Sequence, residues 1–194
     1  KAIEITDHGV MFVCFEFYQE AKKQGIKPII GFEAYMANGS RFDKISGKAA
    51  TKKRNYFHLV LLAKNERGYK NLMKLTTLAH TEGFYYKPRI DKELLEQYRE
   101  GLIATSACIA GVVNAHLIAG DYNEAYNTAK YYKDVFGEDF YIELQNHNLP
   151  DDKIILLDAP KIARQLDIKT IATNDIHYLR SEHAVAHNVH LYIR

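Results

Sequence analysis

Short apolar runs typical of β-strands alternate along this chain with longer segments of helical periodicity. This alternation constrains the fold most, because it is typical of βα units built around a largely parallel sheet. The run at 57–63 is continuously apolar, as expected for a strand buried on both faces. Six strands are predicted, over residues 2–5, 27–35, 57–63, 101–105, 140–144 and 168–173.

Capping residues mark the predicted helices. Asn65, Asp91, Asp121 and Ser181 each stand directly before a helical segment, where their side chains can accept hydrogen bonds from free backbone N–H groups. Pro160 lies inside a predicted helix and should bend it or break it in two. Helices are predicted over residues 11–24 (ended by Gly25), 66–82, 92–98, 122–136 (ended by Gly137), 151–166 and 182–192, with an aromatic loop at 83–88.

Six βα units are compatible with an open doubly wound sheet or with an incomplete barrel. In both architectures, sites are built at the carboxyl ends of the strands, because the loops converge there. Residues that can bind metal or move protons follow five of the six predicted strands, which favours the barrel. They are Asp7, His8, Glu33, Cys108, His147, Asp175 and His177.

The composition restricts the class of protein. With 194 residues, 47% hydrophobic and 26% charged, the chain is predicted to be a soluble globular domain. It contains no run of about 18 apolar residues, so no membrane span is predicted. Two cysteines, Cys14 and Cys108, could form one bridge at most, and a reducing cytoplasm is the simpler expectation. The chain has no initiator Met and opens in a strand-like run, so we expect its natural beginning to be missing.

The formal charge of +2 is unevenly distributed along the chain. Residues 39–56 contain six basic residues against Asp43 alone, a net charge of +5. A solvated loop and a loop that contacts a phosphate backbone both explain this charge. On the second interpretation the candidate nucleic-acid-binding residues are Lys48, Lys52, Lys53 and Arg54.

Each candidate metal ligand also has an ordinary structural interpretation. The segment Asp7-His8-Gly9 is compatible with a turn in which His8 faces solvent. Glu33 lies in an apolar strand, where an unpaired acid is costly, so it either faces water or has a cation beside it. Asp175 and His177 are two residues apart, on the same side of an extended backbone, and this spacing suits two ligands of one ion.

His58 and Cys108 are harder to assign. His58 begins its predicted strand, so in a parallel strand its imidazole lies at the wrong end of the barrel. Either the boundary or the direction of that strand is misjudged, or His58 is a core histidine, which these residues alone slightly favour. Cys108 lies at a predicted strand-to-helix turn, where helix amides would lower the thiol pKa. It is a candidate nucleophile or ligand, and the surrounding histidines favour the ligand.

Three further histidines, His183, His187 and His190, share one face of the last predicted helix. They lack the acid of the metalloprotease pattern, so we interpret this face as packed against the barrel, with His187 nearest the site. Mixed N, O and S donors at the strand ends predict Zn²⁺, Mn²⁺ or Fe²⁺, and adjacent ions of this kind suit phosphoester hydrolysis. No Walker or dinucleotide glycine loop is present, which argues against ATP and NAD chemistry.

Five short motifs follow one another along the chain. They are Thr6-Asp7-His8-Gly9, Gly31-Phe32-Glu33, His58 in HLVLLAKN, Ser106-Ala107-Cys108, and Asn174-Asp175-Ile176-His177-Tyr178. In this order they resemble the PHP (polymerase and histidinol phosphatase) domain. The intervening text KNERGYKNLMKLTTLAH and GFYYKPRIDKELL resembles the PHP domain of bacterial C-family replicative DNA polymerases, the polymerase III alpha subunits. The resemblance covers nearly the whole chain.

The resemblance implies an α/β fold, a distorted TIM-like (βα)7 barrel, in which residues 1–194 form one domain that lacks its first strand. In the family that strand carries an H-x-H pair and a further acid of a site for up to three ions, Zn²⁺ or Mn²⁺. The resemblance makes His58 a ligand, and it places Cys108 where some members have His. The implied metal ligands are His8, Glu33, His58, Cys108, Asp175 and His177, with catalytic roles for Asp7, His8 and Asp175.

Two functions are implied for such a domain. It is either a metal-dependent 3′–5′ exonuclease that proofreads, or a degenerate scaffold that supports the polymerase. Every position that can be compared keeps a ligand-type residue, which favours the first, although a chain without the first strand should bind metal incompletely and be slow or inactive. The implied partners are DNA, other domains of the same chain and a separate proofreading subunit, in the bacterial cytoplasm. A free-standing phosphatase for small phosphoesters is a third hypothesis, which the polymerase-like text disfavours.

Overall fold

The computed structural model describes residues 1–44 and 55–193. Within these residues eight strands and seven α-helices alternate, and an α/β fold is confirmed. The strands are β1 (Ala2–Ile5), β2 (Lys27–Ala37), β3 (Tyr56–Ala63), β4 (Phe84–Tyr85), β5 (Lys87–Ile90), β6 (Leu102–Thr105), β7 (Phe140–Leu144) and β8 (Lys169–Ala172). The helices are α1 (Cys14–Lys23), α2 (Glu66–Thr81), α3 (Lys92–Tyr98), α4 (Asn114–Ile118), α5 (Tyr122–Phe136), α6 (Pro150–Gln165) and α7 (Ala184–Ile193).

All eight strands belong to one sheet. The strand order is β4-β5-β2-β3-β6-β7-β8, and β1 pairs with the first part of β2. The pairs β1–β2, β2–β5, β6–β7 and β7–β8 are parallel. The core lies between this sheet and the helices and is formed by apolar side chains such as Leu59, Leu72 and Ile142.

Strand β3 departs from the predicted parallel arrangement, because it is antiparallel to both of its neighbours, β2 and β6. Its first residues therefore lie beside the end of β2, with His58 opposite Tyr35. The predicted parallel direction of this strand is therefore wrong, whereas its predicted position in the sequence is correct. His58 lies at the same edge of the sheet as the carboxyl ends of the parallel strands.

The sheet curls but is not closed by strand pairing within the described residues. Residues of β1 and β7, which are far apart in the strand order, line one small cavity, as Glu4 and Glu143 show. The pairing runs from β4 to β8 without a pair that joins the two ends. The structure thus supports a curled α/β sheet that is compatible with the expected barrel. Closure into a barrel of seven βα units remains a prediction.

Three helices begin at their predicted caps. Asn65, Asp91 and Asp121 accept backbone N–H groups of the first turns of α2, α3 and α5. The prediction for Ser181 is wrong, because this residue lies in a short 3-10 helix (Ser181–His183) that precedes α7. Helix α6 continues through Pro160, so a break there is also wrong.

One feature was not predicted, because the segment expected to be an aromatic loop forms a hairpin from β4 and β5. The helix expected after the turn that contains Cys108 is present as α4. No helix of the described residues is long and apolar enough to cross a membrane.

The start of the basic segment is anchored by ion pairs of the buried Arg41 side chain. The Arg41 guanidinium donates to Glu82, Asp91 and Glu93 at 2.7 to 3.1 Å. Arg41 is therefore not available to a phosphate backbone. Lys48, Lys52, Lys53 and Arg54 lie outside the described residues, so their nucleic-acid contacts remain a prediction.

Candidate metal centre

The site begins where β1 ends beside β2. The Glu33 N–H donates to the carbonyl of Asp7, at 3.0 Å, and the Gly9 N–H donates to the carbonyl of Glu33, at 2.9 Å. These two hydrogen bonds extend the parallel pairing past β1 and place His8 directly beside Glu33. A backbone ladder thus fixes the first imidazole next to the first carboxylate.

The antiparallel strand β3 supplies the second imidazole. The Nδ1 atom of His58 lies 2.7 Å from one oxygen of Glu33, and the Nε2 atom of His8 lies 3.1 Å from the other. One carboxylate, itself buried, therefore bridges two imidazoles. The ligand atoms of His8, Glu33 and His58 all lie within 4.8 Å of one another, which is a spacing that one ion can span.

Cys108 joins this cluster from the turn after β6. Its Sγ atom lies 3.4 Å from Nδ1 of His58 and 3.7 Å from Glu33. The turn is held beside β3 by backbone bonds, in which the His58 N–H donates to Ala110 and the Val112 N–H donates to His58. The cluster therefore contains nitrogen, oxygen and sulfur donors.

Asp175 and His177 approach from the segment after β8. Asp175 lines a small cavity, of about 30 Å³, together with Glu33 and Cys108. The His177 ring lies 5.8 Å from that of His8, and its Nδ1 atom lies 3.7 Å from the Asp175 carboxylate. All six residues that the resemblance implies as ligands thus gather at one edge of the sheet, and their role as ligands remains a prediction.

The remaining candidates are more peripheral. The Asp7 carboxylate is exposed, and its contact with the cluster is the backbone carbonyl described above. The exposed His147 ring lies 2.8 Å from the carbonyl of Asn174 and so helps to position the segment before Asp175. On α7, His187 has ring contacts with His177 and Tyr178, as predicted for the histidine nearest the site. The predicted packing of this face against the barrel is wrong, because none of the described α7 residues is buried.

The protonation of the cluster follows from its burial and charges. Burial alone would raise the pKa of Glu33, but the hydrogen bond and charge of His58, with the charge of His8, lower it overall. Burial lowers the pKa of His8 despite the opposing effect of Glu33. Burial and the nearby Glu33 charge raise the pKa of the Cys108 thiol to about 12, so the lowering predicted from helix amides is wrong. Near neutral pH the metal-free cluster therefore has an ionised carboxylate and a protonated thiol.

This donor set fits a divalent ion of the zinc or manganese type. Imidazole nitrogen and carboxylate oxygen suit Zn²⁺ and Mn²⁺, and a thiol adds affinity for Zn²⁺. Among the described residues, the ion-pair partners of Glu33 are His8 and His58, without a lysine or arginine that would compete with an ion.

A second buried carboxylate, Glu143 on β7, was not identified from the sequence. It accepts hydrogen bonds from the hydroxyl groups of Thr105 and Thr173 and from the amide of Gln145. Burial raises the pKa of Glu143, and the charge of Glu4 raises it further. The three hydrogen bonds oppose this rise without cancelling it. Its signal was the same as that of Glu33, an acid within an apolar strand.

Comparisons with known proteins agree with this geometry. The model of the PHP domain family matches residues 1–147. The chain belongs to the PHP domain family. The matched range contains His8, Glu33, His58 and Cys108, whereas Asp175 and His177 follow it.

Similarity to curated proteins extends over nearly the whole chain. The chain is 50% identical over 192 residues to the DNA polymerase III subunit alpha of Aquifex aeolicus, which covers 97% of this chain and 16% of that protein. It is 50% identical over 187 residues to that of Borreliella burgdorferi and 44% identical over 193 residues to that of Thermus aquaticus, covering 96% and 100% of this chain. The chain spans 16% of the length of each of these relatives.

Proposed function

We propose that this chain is the PHP domain of a bacterial replicative DNA polymerase, with a metal-dependent 3′–5′ exonuclease site that proofreads. The observation that carries the proposal is the bridging of His8 and His58 by the Glu33 carboxylate. The similarity to polymerase III alpha subunits supports DNA as the substrate and the bacterial cytoplasm as the location.

The ligands in this proposal are His8, Glu33, His58, Cys108, Asp175 and His177. Bound Zn²⁺ or Mn²⁺ ions, up to three in an intact domain, supply Lewis acidity that lowers the pKa of water and neutralises phosphate charge. The lowered pKa of His8 keeps its imidazole neutral and ready to bind. The Cys108 thiol has to release its proton to do so, because its pKa is raised.

Two groups of residues, the catalytic residues and the basic segment, are proposed to bind and orient the substrate. Asp7, His8 and Asp175 are the proposed catalytic residues, and Asp175 lies at the cavity between Glu33 and Cys108. The segment that carries Lys48, Lys52, Lys53 and Arg54 connects the end of β2 to the start of β3. His58 lies two residues after that start, so the described end of this connection is close to the proposed metal centre. We propose that these four basic residues contact the DNA backbone.

The test is degradation of a 3′-labelled primer by the intact polymerase chain that contains this domain, with Mn²⁺ or Zn²⁺. The wild type is expected to release the labelled nucleotide, and Asp175→Asn and His58→Ala are expected to lose this release. His183→Ala is the matched control, since His183 is exposed on the 3-10 helix before α7. Equal release by all four proteins would assign the activity to another part of the chain.

A second candidate function is a structural module within the polymerase. It is favoured by the large apolar side chains that α7 exposes, among them Val185, Tyr192 and Ile193. Such a surface suits contact with other domains of the same chain or with a separate proofreading subunit. Stoichiometric metal without primer degradation would support this function over the exonuclease.

A further inference from the structure

The hairpin formed by β4 and β5 exposes aromatic rings at its tip. The Phe84 and Tyr86 side chains are 54% and 77% exposed, and the Tyr85 and Tyr86 rings meet edge to face at 4.6 Å. Lys87 follows directly. We call Phe84, Tyr85, Tyr86 and Lys87 the aromatic tip. It presents flat apolar surfaces beside a positive charge.

The base of this hairpin is fixed by buried contacts. The Arg89 side chain donates to the carbonyl of Gly83 at 3.1 Å and to that of Arg41 at 2.9 Å. A Cβ atom on Gly83 would lie 1.9 Å from the carbonyl oxygen of Arg89, so the two segments approach as closely as a glycine permits. The tip is therefore presented on a rigid support.

Tyr86 adopts an unusual backbone conformation at the turn, with a φ of 60°. This left-handed region is uncommon for bulky residues and costs free energy. The ring of Tyr86 does not gain burial in return, because it is exposed. Conformations of this kind occur often where a protein holds a ligand.

The aromatic tip is continuous with the candidate metal centre. The Lys87 ammonium lies 5.6 Å from the centre of the Tyr35 ring, and that ring meets the His58 ring at 5.3 Å. Pro88 packs against Gly9, the residue after His8, since a Cβ atom on Gly9 would lie 2.8 Å from its ring. The hairpin is therefore connected to the candidate metal centre through the contacts of Tyr35 and Gly9.

We propose that the aromatic tip binds the unpaired end of a single-stranded DNA segment, with a base stacked on Tyr86 and a backbone phosphate beside Lys87. Exposed aromatic rings combined with basic side chains are the usual means of binding single strands without sequence preference, because every base has a flat face. A protein partner is the weaker alternative, since the hairpin offers a few exposed rings beside a cation rather than a closed apolar surface. This inference rests on the proposed function, because it takes the substrate of the metal centre to be a DNA strand.

Photochemical cross-linking tests the contact without requiring cleavage. The intact polymerase chain is irradiated in EDTA with an oligonucleotide that carries 5-iodouracil at its last or second-to-last position, and the cross-linked peptide is mapped. We expect a cross-link in the peptide that contains Tyr86. It should persist in Tyr86→Phe and disappear in Tyr86→Asn, because asparagine tolerates a positive φ but has no ring.

Kinetics give a second measurement. Tyr86→Asn should raise the KM for a single-stranded 3′ end about tenfold, the effect of losing one stacked base, with little change in kcat. Tyr86→Phe should behave like the wild type. This division separates a substrate-binding role from damage to the metal centre, which would lower kcat.

Three results would overturn the inference. The first is that all cross-links within this domain map outside the hairpin. The second is that Tyr86→Asn keeps both the cross-link and the KM of the wild type. The third is protection of Tyr86 from nitration by another domain of the chain, which would make the hairpin a protein contact. Cross-linking to Tyr86 in a protein that never degrades the primer would retain this inference and refute the proposed exonuclease.

Discussion

Two buried glutamates in this protein have similar burial but opposite acid–base behaviour. Glu33 on β2 and Glu143 on β7 are both 4% exposed, and both line the same small cavity inside the curled sheet. Glu33 contacts two imidazoles and a thiol, and its pKa is lowered. Glu143 contacts hydroxyl and amide groups, and its pKa is raised.

The difference shows how neighbours decide the role of a buried acid. The imidazole nitrogens beside Glu33 are able to bind a metal ion, so the carboxylate is poised to become a ligand of the same ion. The hydrogen-bond donors to Glu143 are neutral groups at the end of β6, directly after β7 and directly after β8, so this carboxylate connects strands. We therefore expect one region to bind metal and the other to hold the sheet together.

The largest expected effect is on metal affinity. Glu33→Gln removes the carboxylate that bridges His8 and His58. It should weaken binding of the first Zn²⁺ or Mn²⁺ ion by about 100-fold or more, because losing a direct ligand costs more than losing a residue that only hydrogen-bonds to a ligand. Glu143→Gln is the matched control and should change the affinity by less than about threefold, because its neighbours are neutral donors. Competition with a chromophoric chelator, using the intact chain, measures both. Equal losses of metal affinity in the two variants would contradict the proposed difference between the two glutamates.

The pH dependence of local stability should have opposite signs at the two glutamates. The lowered pKa of Glu33 gives stability that is present above pH 4.5 and is lost as the pH falls through the folded-state pKa. The raised pKa of Glu143 gives stability that is present below pH 4.5 and is lost as the pH rises through the folded-state pKa. In metal-free protein at pH 7, Glu33→Gln should therefore loosen β2 by about 1–3 kcal/mol.

The corresponding change at Glu143 should be smaller and of the other sign. Glu143→Gln should stabilise β7 by about 1 kcal/mol at pH 7, and this gain should shrink toward pH 4. Hydrogen exchange of the β2 and β7 amides in EDTA, at several pH values, measures each local opening free energy. A loss of protection in β7 that grows with pH in Glu143→Gln would contradict this account.

The two cysteines offer a milder version of the same comparison. Cys108→Ser should lower Zn²⁺ affinity about tenfold or more, because the thiol lies 3.4 Å from His58. Cys14→Ser should leave the affinity unchanged, since Cys14 is buried on α1 and is not among the proposed ligands. Proton release on Zn²⁺ binding, measured in a weakly buffered solution, should fall in Cys108→Ser alone. Unchanged release in that variant would exclude the thiol as a ligand.

The smallest expected effect concerns one hydrogen bond. Thr173→Val removes a donor to Glu143 and should reduce the opening free energy of β8 by about 1 kcal/mol. Metal affinity should stay within about twofold, although Asp175 is only two residues away. A large loss of affinity would mean that the Glu143 network positions the metal centre as well as the sheet.

The sequence predicted the strands well because each is a short apolar run. All six predicted strands are present, and three of the four predicted caps are confirmed. The hairpin of β4 and β5 was missed because its strands are very short and include Pro88. The direction of β3 could not be read from its composition, since a buried strand is apolar in either direction.

The candidate site was predictable only in part, for a related reason. The sequence showed that acids and histidines follow the strands, but the partners of a buried acid depend on which strands are neighbours. Glu33 and Glu143 therefore have the same local pattern and different surroundings. His58 was the most difficult residue, because its placement depended entirely on the antiparallel direction of β3.

Anomalous X-ray scattering from Mn²⁺-soaked crystals of the intact chain tests the central claim most directly. The account predicts an anomalous peak between Nε2 of His8, Nδ1 of His58 and the Glu33 carboxylate, and the loss of that peak in Glu33→Gln. A peak elsewhere, with both imidazoles still hydrogen-bonded to Glu33, would contradict it.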